Sequence, residues 1–572
     1  MPTRKNYNNF DVAIYVTAPG IDRINVENME QEFAFFEKYI KVDKVYLETF
    51  RKNITIPRDK MIKIKQFFND KGIKTSGGIT TTIKDSEKDN RFMNAVCYTD
   101  SDMRLKIKEV AEYTASLFDE FILDDFYFTN CTCPSCIEAK GDKSWPDFRL
   151  DLMAEVSENI IINPAREVNP DVDIIIKYPN WIESFQHAGY NTEVQPDLFD
   201  KLYTGTETRN TAFTHQHLPR YASYSLMRWV ENIKPGYNGG GWFDWIDCIH
   251  NIGSYLEQAY LTVFSGTKEL MLFCFSGLKD SVFVPALGHE LKKLDNISGE
   301  LKDPVGIPVY EPHHASGEDH LYDYLGMTGL AFEPTPDFPG ADSLIVVTAN
   351  SAADSNIITR LKKHLMNGGD AVITSGFLKR MKGAGIEELT TVKYTDKKAN
   401  VKKYAMDTLH CAYSEYIDGS QDILFPVLNY KNNSTWPLIV GVNNENTFPV
   451  LLQDYYGKGK IYTLTIPDNY GDLYNLPEVV LTKIRYYFMQ DFDLYLEAEA
   501  KIGLFAYDND SFIVESFLPY HRTARVHFRN TGVKLFSENG EEIKNKVIRE
   551  GETIFDIELP PSSYKFFKYR AK

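Results

Sequence analysis

The stretch FILDDFYFTNCTCPSC (Phe121–Cys136) governs how the rest of the chain is read. Its first half is an apolar run of β-branched and aromatic residues broken by two adjacent aspartates, Asp124 and Asp125, which reads as a strand carrying its charge at the end. Its second half sets Cys131, Cys133 and Cys136 in a C-x-C-x-x-C pattern. Three thiolates at that spacing can reach one centre, and Cys97, upstream in NAVCYTD, can supply a fourth. Cysteines one residue apart are poorly placed to pair with each other, so the expected use is a tetrahedral zinc site rather than a disulfide. Four thiolates leave no open coordination position, so the expected zinc is structural and cannot activate water. Cys248, Cys274 and Cys411 are scattered and read as small buried hydrophobes.

Working outward, seven more runs resemble the Phe121 strand. They are DVAIYVTA from Asp11, DKVYLETF from Asp43, IKTSGGIT from Ile73, VDIIIKYP from Val172, DKLYTGTE from Asp200, NGGGWFDW from Asn238 and ELMLFCFS from Glu269. Helical stretches lie between them, such as residues 27–42 and 104–120. The second puts Ile107, Val110, Ala111 and Thr114 on one face. Strands alternating with helices eight times predict a (β/α)8 TIM barrel over residues 1–305, in which chemistry belongs at the C-terminal strand ends. Residues 306–492 read as a smaller, flavodoxin-like α/β domain, with NIITRLKKHLMNGGD as a helix closed by glycines. It has no G-x-G-x-x-G or G-x-x-x-x-G-K, so no nucleotide is expected there. Residues 493–572 alternate in short runs, from KIGLFAYDN to SYKFFKYR, and predict a small C-terminal antiparallel β-sandwich.

Composition narrows the partners. A net charge of −17 argues against nucleic acid, whose footprint is a basic patch. It also disfavours strongly acidic polymers unless a local basic cleft exists. No apolar run reaches the 18 or so residues that a membrane span requires. MPTRKNYNNF is followed by no apolar segment and does not read as a secretory signal. The compartment is therefore open: cytoplasmic, or periplasmic or secreted with a signal removed. The 35 Tyr and 36 Phe suit carbohydrate, because sugar C–H groups pack on aromatic faces, although most of these rings must be core.

A barrel, then a flavodoxin-like domain, then a small β domain, with Cys97 before the fourth strand and Cys131, Cys133 and Cys136 after it, resembles the family 42 glycoside hydrolases of the β-galactosidase type. The helix after Cys97, YTDSDMRLKIKEV, also looks like that family's. The resemblance implies a zinc held by the four cysteines, a carbohydrate substrate, and a homo-oligomer, dimer or trimer, built through the middle domain. The chain departs from the family at the catalytic positions. Where the family carries Asn-Glu after strand four and Glu after strand seven, this chain has Asp124-Asp125-Phe126 and Phe243-Asp244-Trp245. It reads as a divergent relative.

Glycoside hydrolysis needs two carboxyl groups across the scissile bond, one protonated and the other a nucleophile or base. Three strand ends offer them. Neighbouring residues on a strand point to opposite faces, so one of Asp124 and Asp125 is expected in the pocket, with Asp125 favoured and Asp124 bracing. Glu207 ends strand six beside the small Thr204, Gly205 and Thr206, where a substrate could come close, and Arg209 can pair with Glu207 or with a sugar carboxylate. Asp244 ends strand seven after three glycines, with Trp242 and Trp245 as a sugar platform. The first pairing is Asp125 with Glu207, on strands four and six, as in barrel glycosidases many of which act on α-linkages. The second is Asp125 with Asp244, which keeps the family's geometry. Retention and inversion both stay open. Further sugar contacts are expected from Glu48 and Arg51 after strand two, and from Tyr178, Asn180 and Trp181 after strand five. The histidines of FTHQHLP and of EPHHASGEDH are weak metal candidates. No G-x-S-x-G occurs, so a serine esterase is not expected. The expected function is a glycoside hydrolase acting on an oligosaccharide or polysaccharide fragment. The alternatives are an inactive glycan-binding scaffold, or a lyase or transglycosidase.

Overall fold

Eight parallel strands close into a barrel: β1 Asp11–Val16, β2 Lys44–Arg51, β3 Lys74–Ile79, β4 Glu120–Leu123, β5 Asp173–Tyr178, β6 Lys201–Gly205, β7 Asn238–Asp244 and β8 Glu269–Phe273. Each pairs with the next, and β8 returns to β1, so the sheet has no free parallel edge. The computed structural model describes residues 7–83, 95–340, 343–406, 416–444 and 446–571. Six of the eight strands fall within the runs expected from the sequence; β2 continues one residue further, to Arg51, and β4 starts one residue earlier, at Glu120. The helix expected at 104–120 runs from Ser101 to Ala115, with its N-terminus capped by the Asp100 carboxylate accepting from the Met103 amide at 2.9 Å.

Period-two alternation decides which side chains enter the barrel. Tyr15, Tyr46, Ile122, Ile175, Tyr203, Trp242 and Met271 form the inner core. Their neighbours Phe121, Leu123, Ile174, Ile176, Tyr178 and Leu202 face outward into the core beneath the helices. By the same parity Glu48, Asp124, Lys177 and Asp244 continue the inner face toward the C-terminal strand ends. The three glycines of β7 serve this packing. A Cβ on Gly240 would sit 2.6 Å from the Tyr203 hydroxyl and 2.4 Å from the Glu269 carbonyl oxygen, so the glycine there admits the protein's own backbone and ring.

Contacts divide the chain into two compact units, Met1–Glu300 and Leu301–Lys572. The second unit holds a nine-stranded mixed sheet. Its parallel strands, Phe332–Thr335, Ile307–Tyr310, Ile345–Val347, Ala371–Thr374 and Gly459–Leu464, are extended by four antiparallel strands between Lys393 and Tyr456. The helix Ile357–Asn367 closes at Gly368, whose φ of 109° favours glycine. The C-terminal part is antiparallel, in one six-stranded and one four-stranded sheet. Rings such as Phe512 and Phe528, 6.1 Å apart, join the inner faces of those two sheets. No helix among the described residues is long and apolar enough to cross a membrane. Cys248 and Cys274 are buried, as expected, while Cys411 lies outside the described residues.

Candidate active site at the C-terminal end of the barrel

The chain leaves β4 at Leu123 and turns at once, with the Tyr127 amide donating to the Asp124 carbonyl at 2.9 Å. Strand alternation therefore stops before Asp125, and both aspartates reach the same cavity instead of opposite faces. That cavity, of about 470 Å³, is lined by Arg51, Asp124, Asp125, Lys177, Glu207 and Asp244 on its polar side. Phe126, Phe128, Trp181, Trp242 and Phe273 form its aromatic side.

Lys177 is the centre of the polar side and was not anticipated. Leu123 pairs with Ile176 across β4 and β5, so the residues after them, Asp124 and Lys177, stand level. The Lys177 ammonium lies 2.8 Å from Asp125 Oδ2, 2.6 Å from Glu207 Oε1 and 4.0 Å from Asp124 Oδ1. It also sits over the Trp242 ring, 4.2 Å from its centroid. Its side chain is 1% exposed, so the charge persists only because carboxylates surround it. The signal was present in the sequence: a lone lysine at an inward position of the strand DIIIKY.

Two arginines complete the set. Arg51 donates to both oxygens of Glu48 at 3.0 and 2.9 Å and to Asp124 at 2.5 Å. Thr80 adds a hydrogen bond to Asp124 at 2.9 Å. Glu48 is fully buried and also accepts from the Tyr15 hydroxyl, the Ala18 amide and Thr80. It orients Arg51 and does not line the cavity. Arg209, in the left-handed region at φ 56°, turns away from Glu207 and grips Asp244, its Nε 3.0 Å from Oδ1 and its Nη2 2.7 Å from Oδ2. Glu207 is left to Lys177. A Cβ on Gly205 would lie 2.5 Å from the Glu207 carboxylate, so the small residue there makes room for the acid itself.

The remaining sugar-contact candidates divide. Asn180 and Trp181 line the cavity, and the Asn180 amide donates to the Glu207 carbonyl at 2.7 Å, bracing the end of β6. Tyr178 faces outward by parity and packs on Phe185 and Tyr190, away from the cavity. Trp242 is inside the barrel against Tyr15 and Phe273. Trp245 lies outside the lining, its indole packed where a Cβ on Gly277 would fall. His215 lines the cavity and His217 faces the Thr211 carbonyl, with no metal grouping at either among the described residues.

Three cations thus face five carboxyl groups, and the arrangement sorts their protonation. Burial pushes the Asp125 carboxyl up to about 8, with Asp124 and Glu207 adding to the rise and Lys177 opposing it. Burial also opposes charge on Asp124, but Arg51 and Lys177 outweigh it and hold that group below the ordinary aspartate value. Asp244 is raised by burial against the pull of Arg209. Burial disfavours charge on Lys177, yet Asp125, Glu207 and Asp124 outweigh it and raise its pKa. Asp125 is also the most exposed of the four acids in this cavity, its side chain 22% accessible against 2% for Asp124, 5% for Glu207 and 3% for Asp244. The site therefore presents one accessible carboxyl whose pKa is pushed up, beside lysine-bound Glu207.

The four cysteines of the opening motif also meet. The Cys97 sulfur is 3.6 Å from those of Cys133 and Cys136, and all four sulfurs lie within 4.8 Å of one another. A tetrahedron with metal–sulfur bonds of about 2.3 Å has edges of about 3.8 Å, so the set fits a single ion. Among the described residues it is the only grouping of metal-ligand side chains able to hold one.

The chain is similar to several known proteins. An uncharacterized protein, SSO3021, of Saccharolobus solfataricus is 23% identical over 495 residues, covering 80% of this chain and 82% of that protein. The crystal structure of β-galactosidase from Bacillus circulans sp. alkalophilus superposes with a TM-score of 0.61 at 11% identity, over 100% of both chains, which shows a shared fold. Residues 302–469 match the second domain of SSO3021, and residues 493–569 match a family described as probable glycosyl hydrolase, C-terminal domain. Residues 1–289, just over half of the chain, match the family described as probable glycosyl hydrolase, catalytic domain, and the chain belongs to that family.

Proposed function

We propose that the protein is a glycoside hydrolase in which Asp125 is the general acid/base and Glu207 the nucleophile. The observation that carries this reading is the single ammonium of Lys177, bound to Asp125 at 2.8 Å and to Glu207 at 2.6 Å on one side of the cavity. Two oxygens held by one nitrogen at those contacts are at most about 5.4 Å apart, no wider than the separation of about 5–5.5 Å used by retaining enzymes and short of the inverting range. Asp125 is raised to about 8 and so carries the proton a leaving oxygen needs at neutral pH. Asp244 is less suited to attack, because Arg209 occupies both of its oxygens. The reading makes the chain a divergent relative of the family 42 enzymes, with the strand-four and strand-six pair replacing that family's glutamates. Homo-oligomerisation is part of the same reading.

The cysteine cluster would hold zinc. Its soft thiolates and closed tetrahedral spacing favour that ion over magnesium or calcium, which take oxygen ligands. The ion would fasten the segment after β4 and take no part in the chemistry.

A panel of α- and β-linked 4-nitrophenyl glycosides, with the first product anomer followed by NMR, tests the assignment. Retention is expected. With azide present, Glu207→Ala should yield a glycosyl azide of inverted configuration, and Asp125→Ala one of retained configuration. Inversion at the anomeric carbon, or azide products in the opposite assignment, would overturn the roles. Sugar binding by calorimetry without any turnover would favour the glycan-binding scaffold instead.

A further inference from the structure

The assignment of Asp125 and Glu207 accounts for two carboxyls but leaves the buried lysine between them unexplained. We infer that Lys177 is a shared counterion whose ionic partner changes from Glu207 to Asp125 as the glycosyl-enzyme forms, and changes back as it is hydrolysed. The inference rests on the roles proposed above and goes beyond them.

The charge balance makes the case. In the free enzyme Glu207 is ionised and Asp125 holds a proton. When a Glu207 oxygen bonds to the anomeric carbon, the bond from that carbon to the leaving oxygen breaks, and its electron pair stays on the oxygen. The Asp125 proton goes to that oxygen. Glu207 is then a neutral ester and Asp125 a carboxylate. Water next attacks the anomeric carbon and gives a proton to Asp125, while the ester bond breaks and its electrons return to Glu207. One negative charge thus crosses the site and returns in each cycle. An ammonium 2.6 Å from one carboxyl and 2.8 Å from the other meets that charge in both places without moving. Lys177 is 1% exposed, so water cannot take over this role. The groups around it are fixed by other partners: Asp124 by Arg51 and Thr80, Asp244 by Arg209, and the Asp125 backbone carbonyl by the Tyr190 hydroxyl. The Trp242 ring closes the remaining face. Lys177 is therefore a positioning residue that acts through the two acids.

The sign of its effect follows. A cation beside Asp125 lowers its pKa, so its removal moves the basic limb of the pH profile of kcat/KM upward. For Lys177→Met we expect an alkaline shift of about one unit or more in that limb, and accumulation of the glycosyl-enzyme, because Asp125 then ionises poorly and serves poorly as base. Lys177→Arg should keep the limb near its wild-type position. An unchanged limb in a folded Lys177→Met protein would overturn the inference.

A measurement on wild-type enzyme covers the case in which Lys177→Met does not fold. The enzyme is trapped with a 2,4-dinitrophenyl 2-deoxy-2-fluoroglycoside of whichever sugar the panel shows to be turned over, and its reactivation is followed against pH. With the Glu207 charge gone, Asp125 should act as base well below the pH at which it loses its proton in the free enzyme. The acidic limb of reactivation should lie about two units or more below the basic limb of kcat/KM. Coincident limbs would overturn the role of Lys177 while leaving the acids in place. An adduct on a residue other than Glu207, identified by mass spectrometry, or the absence of glycosidase activity, would overturn both.

Discussion

The two ends of the barrel each carry a cluster of carboxylates and cations, yet the two clusters hold their acids differently. At the N-terminal end, Lys44 lies 2.8 Å from Glu120 and 3.0 Å from Glu269, and Lys201 lies 2.7 Å from Glu120 and 2.9 Å from Asp173. Tyr46 and Tyr203 each donate to Glu269, at 2.9 and 3.0 Å. Burial works against the charge on Glu120, but the two lysines win and pull its pKa down to about 2. Acids outnumber cations at both ends, but at the C-terminal end Asp125 is pushed up to about 8 and the cluster opens into a cavity. The comparison teaches that a buried ionic cluster is an anchor when its carboxylates are saturated by cations and hydroxyls. It becomes reactive when one acid is left over and accessible.

Exchanging one charge at each end should separate these roles most sharply. Glu207→Gln should lower kcat/KM by about 10³-fold or more, with a melting temperature close to wild type, because the amide can still accept from Lys177. Glu120→Gln leaves Lys44 and Lys201 short of a counter-charge and should cost about 3 kcal/mol of stability while kcat is kept. Denaturant unfolding and steady-state kinetics on both variants read the outcome. Loss of kcat without loss of stability in Glu120→Gln would break the distinction between the ends.

The cysteine cluster lies at the reactive end but belongs, in this view, with the anchors. Elemental analysis should find about one zinc per chain, bound by Cys97, Cys131, Cys133 and Cys136. Stripping it with a chelator, or replacing Cys131 with serine, should lower the melting temperature by several degrees or unfold the protein. The folded fraction that remains should retain its kcat. A stable, metal-free protein with reduced kcat would instead put the ion in the chemistry.

Much of this was legible in the sequence because it depends on local pattern. The eight strands were marked by short apolar runs alternating with helical stretches, and three of the four cysteines by their spacing. The errors arose where side-chain direction mattered. Tyr178 follows the inward Lys177 and must face outward, so parity within DIIIKY identifies the lysine and excludes the tyrosine at once. Asp124 and Asp125 were assigned opposite faces by a strand rule that ends with the strand at Leu123. The partner of Arg209 could not be read at all. A positive φ turns it from Glu207, two residues away, to Asp244 on the next strand, and only the assembled barrel brings those ends together.

The two ends should also respond to pH with opposite sign. Glu120 has a folded pKa of about 2 against an ordinary 4.5, so its stabilisation is present above the ordinary value and is lost as pH falls through the folded one. Its side chain is only 17% exposed, and the shift corresponds to about 3 kcal/mol lost on acidification below pH 5. Asp125 has a folded value of about 8 against an ordinary 3.8, so the native state holds a proton that the unfolded chain has released. Stability from that group therefore falls as pH rises from about 4 to 8, by no more than about 1.4 kcal/mol per unit. Burial also pushes up Glu257 and Glu311, to about 7 and about 8, so the raw slope has several sources. The informative quantity is the difference between wild type and variant. In denaturant unfolding from pH 3 to 9, Asp125→Asn should gain stability relative to wild type as pH rises through neutrality, and Glu120→Gln should lose its deficit as pH falls below 4. Parallel curves for Asp125→Asn and wild type would mean that Asp125 is ionised in the resting enzyme, and the acid would then have to be sought at Asp244, the other carboxyl lining the cavity that burial raises.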